Sequence, residues 1–288
     1  MTLTAPATHA RHSRATTSIL ARLVRDPRCW VGGAGVALVV VLALAGPALA
    51  PHDPQAFVGR VFADPAPGFP LGTDVLGRDV LSRLLVGGRL FLLQGLVAAV
   101  AGVTAGVVLG ILLGILRGPA AAGLLFFNDS VMVIPQLLLV LLVVASFGAG
   151  AIALTAAVAL AQVAYTARVA YAATQRVVTE DYYRAARALG MGHASLVVRE
   201  VLPNVAGVVL VEFGVRLSIC FVALASLSYL GFSSGEVDWG SMIHENQGGI
   251  SLQPLAVVAP VLALAVFLLG MNLLRDAVGR ALAARSAR

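Results

Sequence analysis

The chain has 288 residues, of which 59% are hydrophobic and only 12% are charged, and its mean hydropathy is +0.92. This composition excludes a water-soluble globular protein, because too little polar surface is present to cover one. All 20 basic residues are arginine. A phosphate-binding loop of the G-x-x-x-x-G-K-[ST] type is therefore excluded, and we expect the chain to hydrolyse no nucleotide itself.

Apolar runs long enough to cross a bilayer, about 20 residues each, recur along the chain. The runs are continuous rather than alternating, which favours helices over the strands of a barrel. The sequence therefore predicts an all-α integral membrane protein with about six transmembrane helices. We place the spans at about residues 31–50, 89–116, 121–147, 150–174, 205–231 and 254–274.

Arginine placement is an independent test of the topology, because short cytoplasmic loops retain positive charge. Arginines precede span one, lie between spans two and three and between spans four and five, and follow span six; they include Arg25, Arg28, Arg117, Arg176, Arg184, Arg187, Arg199 and Arg280. The loop after span five is acidic instead. We therefore predict that both termini face the cytoplasm.

The same pattern divides the chain into a cytoplasmic N-terminal segment, residues 1–28, and a transmembrane domain, residues 29–288. Within the latter, residues 51–88 form an outer loop and residues 176–204 a cytoplasmic loop. A cleaved signal peptide ending at Ala50 is disfavoured, because Pro51 would occupy the cleaved bond. The arginines are spread over several loops, so nucleic acid is not an expected partner.

Two further patterns concern the interior of the bundle. Span two carries small residues at near four-residue spacing, which favours tight helix packing, with a conformational hinge as the alternative. In span five, Glu212 and Arg216 are four residues apart and would be costly to expose to lipid. We interpret them as a structural ion pair, with a pair lining a polar pathway as the alternative.

The segment EDYYRAARALGMGHASLVVREVLPN, residues 180–204, is the most informative one. It predicts a helix over Asp181–Leu189, a turn at Gly190 and a second helix over Ala194–Leu202 that ends before Pro203. An ordinary solvated loop fits poorly, because apolar residues would be exposed: Ala185, Ala186, Leu189, Val197, Val198 and Val201. The pattern favours a compact docking element.

This segment resembles the EAA loop of the membrane subunits of bacterial ABC importers. The match covers two alanines, a glycine four residues on and a Leu-Pro pair thirteen residues later, and here it comprises Ala185, Ala186, Gly190, Leu202 and Pro203, followed by Asn204. Arg184 stands where the family often has glutamate. The resemblance implies that the loop forms coupling helices seated in a groove of an ATPase.

A second segment, LGTDVLGRDVLSRLLVGGR at residues 71–89, narrows the resemblance to permeases of dipeptide, oligopeptide and nickel importers. The matching residues are Gly72, Thr73, Asp74, Gly77, Arg78, Asp79, Ser82 and Arg83. Their charges have the spacing of i,i+4 pairs on a short helix at the outer interface. Such a helix could merely cap span two, or it could be a gate or a dock for a delivery protein.

Other matches lie at Asp129, Pro135, Arg168, Leu227–Gly231 and Trp239–Gly240, whereas the family's C-terminal aspartate-proline is missing here. The resemblance implies a type I ABC importer permease that forms half of a translocation pathway for dipeptides or oligopeptides. Nickel or another small solute is the alternative. An ion-gradient-driven secondary transporter is the alternative from another class, disfavoured because the chain shows no duplicated halves.

The resemblance also implies the location of the chain and the proteins that it binds. We expect a multi-pass protein of the bacterial cytoplasmic membrane, in contact with lipid. Its expected partners are a homologous permease subunit, two ATPase subunits or domains and an extracytoplasmic substrate-binding protein. We expect neither catalytic residues nor a metal or cofactor in this chain, since ATP and magnesium would be bound by the ATPase.

Overall fold

The computed structural model describes residues 24–148, 150–233 and 235–286, and those residues contain ten α-helices and no named strand. Most of the predicted N-terminal segment 1–28 therefore lies outside the described residues. The predicted all-α fold is confirmed. The helices are α1 Pro27–Leu49, α2 Val80–Ile115, α3 Pro119–Val133, α4 Gln136–Phe147, α5 Ala151–Thr179, α6 Asp181–Ala188, α7 His193–Leu196, α8 Leu202–Tyr229, α9 Trp239–Asn246 and α10 Leu255–Ser286.

Five helical segments of the described chain are long and apolar enough to cross a membrane: α1, α2, α5, the continuous helix His193–Tyr229, and α10. A sixth crossing results if α3 and α4 together count as one span. The number of spans thus agrees with about six. We name the two ends of the bundle inner and outer after the arginine-based prediction.

The third predicted span, residues 121–147, consists of two helices with a sharp bend between them, which the hydropathy pattern did not indicate. Helix α3 ends at Val133, α4 begins at Gln136, and the two are bent by 92°. The cause lies at Pro135, which lacks a backbone N–H and holds Ile134 in an extended conformation with ψ of 125°. With 15 and 12 residues, neither half alone spans a bilayer.

Glycines on one face of α2 let it approach α5 closely. A methyl group at Gly102 would lie 2.5 Å from the carbonyl oxygen of Ala159, and one at Gly106 would lie 2.6 Å from Cβ of Thr166. The pair forms the most extensive helix contact of the described chain. Because α2 runs without a break through all 36 residues, these glycines support the packing interpretation over a hinge.

Two hydrophobic clusters lie at different depths. The larger joins α2, α8, α9 and α10 and contains Phe91, Phe221, Phe267 and Trp239. The smaller lies at the inner end, where α2, α5 and α8 meet the 176–204 loop. Its members include Tyr183, Leu196 and Val201, all of which are buried. The loop is therefore packed onto the bundle.

Candidate functional sites at the two ends of the bundle

At the inner end, a glycine turn closes helix α6. The backbone N–H of Gly190 donates to the carbonyl of Arg187 at 3.1 Å, and that of Met191 donates to Ala186 at 3.2 Å. This pair of bonds is the Schellman arrangement, and it requires the left-handed conformation that Gly190 adopts with φ of 81°. The turn therefore fixes the angle at which α6 and α7 leave the bundle.

The second helix of this loop does not end before Pro203, contrary to the sequence prediction. Helix α7 passes through a π-helical turn, Val197–Val201, directly into α8, where Leu202, Pro203 and Asn204 form the first turn. Proline cannot donate to the carbonyl of the residue four positions earlier, and a π turn relieves the clash between its ring and that carbonyl. The loop is thus joined to span five by one continuous helix.

The exposed apolar surface of the 176–204 loop is smaller than the sequence suggested. Val201 is buried, and Ala186 and Val197 are half-buried against the chain's own inner cluster. Ala185 is exposed, as are Leu189 at 89% and Val198 at 61% of their surface. The remaining apolar contact area is concentrated around the turn at Gly190.

A cleft of about 400 Å³ with mixed polar and apolar lining lies beside this loop, between the end of α5 and the start of α8. Arg176, Glu180, Tyr182 and Asn204 line it. Burial raises the pKa of the Tyr182 hydroxyl, and the neighbouring carboxylates of Glu180 and Glu200 raise it further. The cleft thus brings one positive, one negative and two neutral hydrogen-bonding side chains together at the inner end.

At the outer end, residues 74–79 form a turn followed by two isolated β-bridge residues rather than the predicted short helix. Gly72 and Gly77 have φ of 73° and 74°, a backbone conformation that disfavours a helix in this segment. Asp79 instead caps α2, accepting from the backbone N–H of Ser82 at 3.1 Å and from that of Leu81. Helix α2 therefore begins at Val80, inside the predicted outer loop 51–88.

Four charged side chains form an outer charge network: Asp74, Arg78, Arg83 and Glu245. Nε of Arg78 lies 2.7 Å from Oδ2 of Asp74, and Arg83 also contacts this oxygen. Both arginines reach Oε2 of Glu245, at 2.5 Å from Arg78 and 2.7 Å from Arg83. Asp74 and Arg78 thus form the expected pair, but Arg83 binds Asp74 and Glu245 rather than Asp79.

The network is electrically balanced, with two arginines and two carboxylates. Burial opposes ionisation of Asp74, but the backbone N–H of Arg78, the charge of Arg83 and the N–H of Leu76 hold its pKa below the usual value. Burial likewise opposes ionisation of Glu245, and hydrogen bonds and charge from Arg83 and Arg78 lower its pKa. Both carboxylates are therefore charged at neutral pH.

Polar side chains tie the rest of the outer loop to the same end. Thr73 accepts from the N–H of Ala63 at 2.7 Å, and Asn246 accepts from the N–H of Val75 at 2.9 Å. Ser82 accepts from the N–H of His52 at 3.0 Å. The signature residues therefore build a folded platform in which α9, the loop and the start of α2 are held together.

Among the described residues, the predicted spans contain two ion pairs. Nε of Arg216 is 2.5 Å from Oε1 of Glu212, and these side chains are only 12% and 11% exposed. The guanidinium also lies over the Tyr165 ring, 5.1 Å from its centre. In a second pair, Arg168 lies 3.1 Å from Asp129, and each of the two side chains is more than 40% exposed. One pair thus faces the interior and the other a surface.

The sequence did not identify Glu245 as the partner of Arg78 and Arg83. Glu245 is separated from Arg83 by 162 residues, so no local spacing rule connects the two. The only available signal was its position in the acidic loop after span five. In the described part of the chain, no group of three His, Cys, Asp or Glu side chains is arranged to hold a metal ion.

Comparison with known proteins identifies the family. The family model "Binding-protein-dependent transport system inner membrane component" matches residues 106–288, and the model "N-terminal TM domain of oligopeptide transport permease C" matches residues 16–65. The chain is similar to the glutathione transport system permease protein GsiD of Pectobacterium atrosepticum, with 30% identity over 91% of this chain and 88% of the relative.

The protein of the same name from Shigella flexneri is 33% identical over 86% of this chain and 83% of its own length. The motifs of the outer platform and of the 176–204 loop agree with this relationship. The chain therefore belongs to the inner membrane components of binding-protein-dependent transport systems and is a multi-pass permease subunit of an ABC importer.

Proposed function

We propose that the chain forms half of a translocation pathway for peptides, with a homologous permease forming the other half. Two ATPase subunits or domains drive the transport, and an extracytoplasmic binding protein delivers the substrate. The name of these relatives supports a peptide substrate, because glutathione is a tripeptide. The family model that matches residues 16–65 is named after an oligopeptide transport permease, which supports the same substrate class.

The observation that carries the coupling role is the shape of the 176–204 loop. Two short helices project from the inner end and meet at Gly190, beside which Leu189 is almost fully exposed. An exposed leucine at the tip of an ordered turn is typical of a protein contact. We assign this tip to the groove of the ATPase. Gly190 forms its turn, and Ala185 and Ala186 lie in the helix that the turn closes.

In this proposal, closure of the ATPases around ATP displaces the loop, and the continuous helix from His193 to Tyr229 carries the displacement into the bundle. The inner end, with both termini, faces the cytoplasm. ATP and magnesium are bound by the ATPase, and this chain contributes contact surface and a pathway wall without a cofactor. The outer platform faces the binding protein.

The variant Gly190→Val tests the coupling role. Valine resists the φ of 81° found at this position, so the angle between α6 and α7 changes. Gly207→Val is the control, because Gly207 lies in α8 outside the 176–204 loop and, like Gly190, has open space where a side chain would grow. We expect Gly190→Val to insert normally but to lose ATPase co-purification and ATP-dependent uptake in vesicles, whereas the control retains both.

Uptake is measured with labelled glutathione and with a labelled dipeptide as separate probes, at matched permease levels. Normal assembly and uptake of either probe in Gly190→Val would refute the coupling assignment. If the wild-type complex imports neither peptide but imports nickel, the peptide assignment is wrong while the coupling assignment stands.

A further inference from the structure

An apolar groove runs along the outer half of the bundle, where α1, α2, α8 and α10 meet. Its volume is about 480 Å³, within the range of about 300–1,000 Å³ that is typical of ligand sites. Phe221 and Phe267 line it and pack edge to face, with ring centres 4.7 Å apart. Aliphatic side chains provide nearly all of the remaining lining.

The groove follows the direction of the spans. Leu44 and Arg89 lie at its outer end, whereas Val36, Leu96 and Met271 lie deeper. Along α1, the distance from Leu44 to Val36 is about 12 Å at 1.5 Å per residue, and α2 covers a similar depth between Arg89 and Leu96. The groove therefore has the orientation of a lipid acyl chain.

Arg89 is the charged residue of this lining. It is exposed, and no carboxylate in the described parts of the chain forms an ion pair with it. An arginine at such a depth extends its aliphatic stem along the apolar wall and places the guanidinium at the headgroup level. A phosphate group at that level would satisfy the charge.

We propose that this groove binds one phospholipid of the outer leaflet, with an acyl chain along Phe221 and Phe267 and the phosphate on Arg89. The charge at the outer end and the apolar lining below it match the two parts of a phospholipid. A peptide would find no hydrogen-bond partner along most of the groove. The lining contains no residue of the outer platform or of the 176–204 loop, so the outcome of the Gly190→Val test does not bear on this site.

The test uses the assembled transporter in nanodiscs that contain a phospholipid with a photoactivatable acyl chain. We expect labelling of groove residues, located by mass spectrometry of the digested chain. Arg89→Gln should reduce the labelling about tenfold, as expected for loss of a charge-assisted hydrogen bond. Arg60→Gln is the control, because Arg60 is an exposed arginine of the outer loop, away from the groove.

Val40→Phe supplies a second test that retains Arg89 but fills the groove, and it should also reduce the labelling. Unchanged labelling in Arg89→Gln would overturn the headgroup assignment. A cysteine introduced at Leu92 tests whether the groove contacts the partner permease instead. If this cysteine crosslinks to the partner in the assembled complex and the groove residues take no lipid label, the lipid site is overturned. The groove would then be a contact between subunits.

Discussion

At the residue scale, buried charge in the described part of the chain is balanced by a partner of opposite sign or by helix N–H groups. Glu212 has Arg216, and the buried carboxylate of Asp74 has two arginines. Asp238 differs, because it is buried as the cap of α9 and accepts from the N–H of Ser241 at 3.0 Å. A buried ion pair and a buried helix cap are expected to respond differently when the charged residue is substituted.

Arg216→Met should leave the Glu212 carboxylate buried without its partner, at a cost of about 3–5 kcal/mol. The double variant Glu212→Leu with Arg216→Met removes both charges, and we expect it to recover much of the lost stability. The measurement is the yield of folded protein together with the thermal unfolding midpoint in detergent. If the double variant is as unstable as Arg216→Met, loss of the ion pair is not the reason that Arg216→Met is destabilised.

Asp238→Asn tests the cap, because burial raises the pKa of the Asp238 carboxyl despite its hydrogen bonds to Ser241 and Gly240. With its folded-state pKa raised, Asp238 contributes stability below the unfolded value, near 3.8, and this contribution is lost as pH rises through the folded-state pKa. Asparagine keeps the cap without the charge.

At neutral pH, we therefore expect Asp238→Asn to unfold at the same temperature as the wild type or higher, with a flatter pH dependence. Asp238→Ala, the control, loses the cap and about 1 kcal/mol. A large loss in Asp238→Asn at neutral pH would show that the carboxylate charge itself is required.

At the scale of the helices, proline and glycine decide where regular structure bends and where it packs closely. Pro135 separates α3 from α4, whereas Pro203 is accommodated by a π turn and the helix continues. The different outcomes follow from the preceding residues, since Ile134 is extended while Leu202 is helical. The sequence predicted a helix end before Pro203 and no break at Pro135, because the backbone conformation of the residue before a proline cannot be read from the local sequence alone.

Gly106→Ala tests the close approach of α2 and α5. The added methyl group would lie 2.6 Å from Cβ of Thr166 and 2.8 Å from the carbonyl oxygen of Val163, so the helices must separate. We expect a loss of about 1–3 kcal/mol, measured as a lower unfolding temperature. Gly123→Ala is the matched control, because Gly123 is also helical but has open space around it. A Gly106→Ala protein as stable as the control would contradict tight packing.

At the scale of the whole molecule, apolar runs were sufficient to predict the helical bundle, because lipid leaves the backbone few other solutions. The Gly190 turn was also predictable, since a glycine at a helix end is a local signal. The outer charge network was not, because Glu245 reaches Arg83 only after the bundle has formed. Local spacing instead assigned Asp79 to Arg83, and the structure uses Asp79 as a helix cap.

The orientation of the bundle in the membrane remains a prediction that labelling can test. In a background without Cys29 and Cys220, a cysteine at Ser195 should be protected from an impermeant maleimide in intact cells with a permeable outer membrane. A cysteine at Gln55, exposed in the outer loop, should react. We expect the same of Ser234, which lies outside the described residues. Reaction at Ser195 together with protection at Gln55 would invert the topology.

The continuous helix from His193 to Tyr229 has a mechanical consequence. Its 37 residues form a rod about 55 Å long, with the Gly190 turn beside one end and α9 packed near the other. A stiff rod that pivots near its middle converts a push at one end into an opposite swing at the other. In the proposed coupling, the Glu212–Arg216 pair lies close to the midpoint of this rod, where a pivoting motion would displace a buried ion pair least.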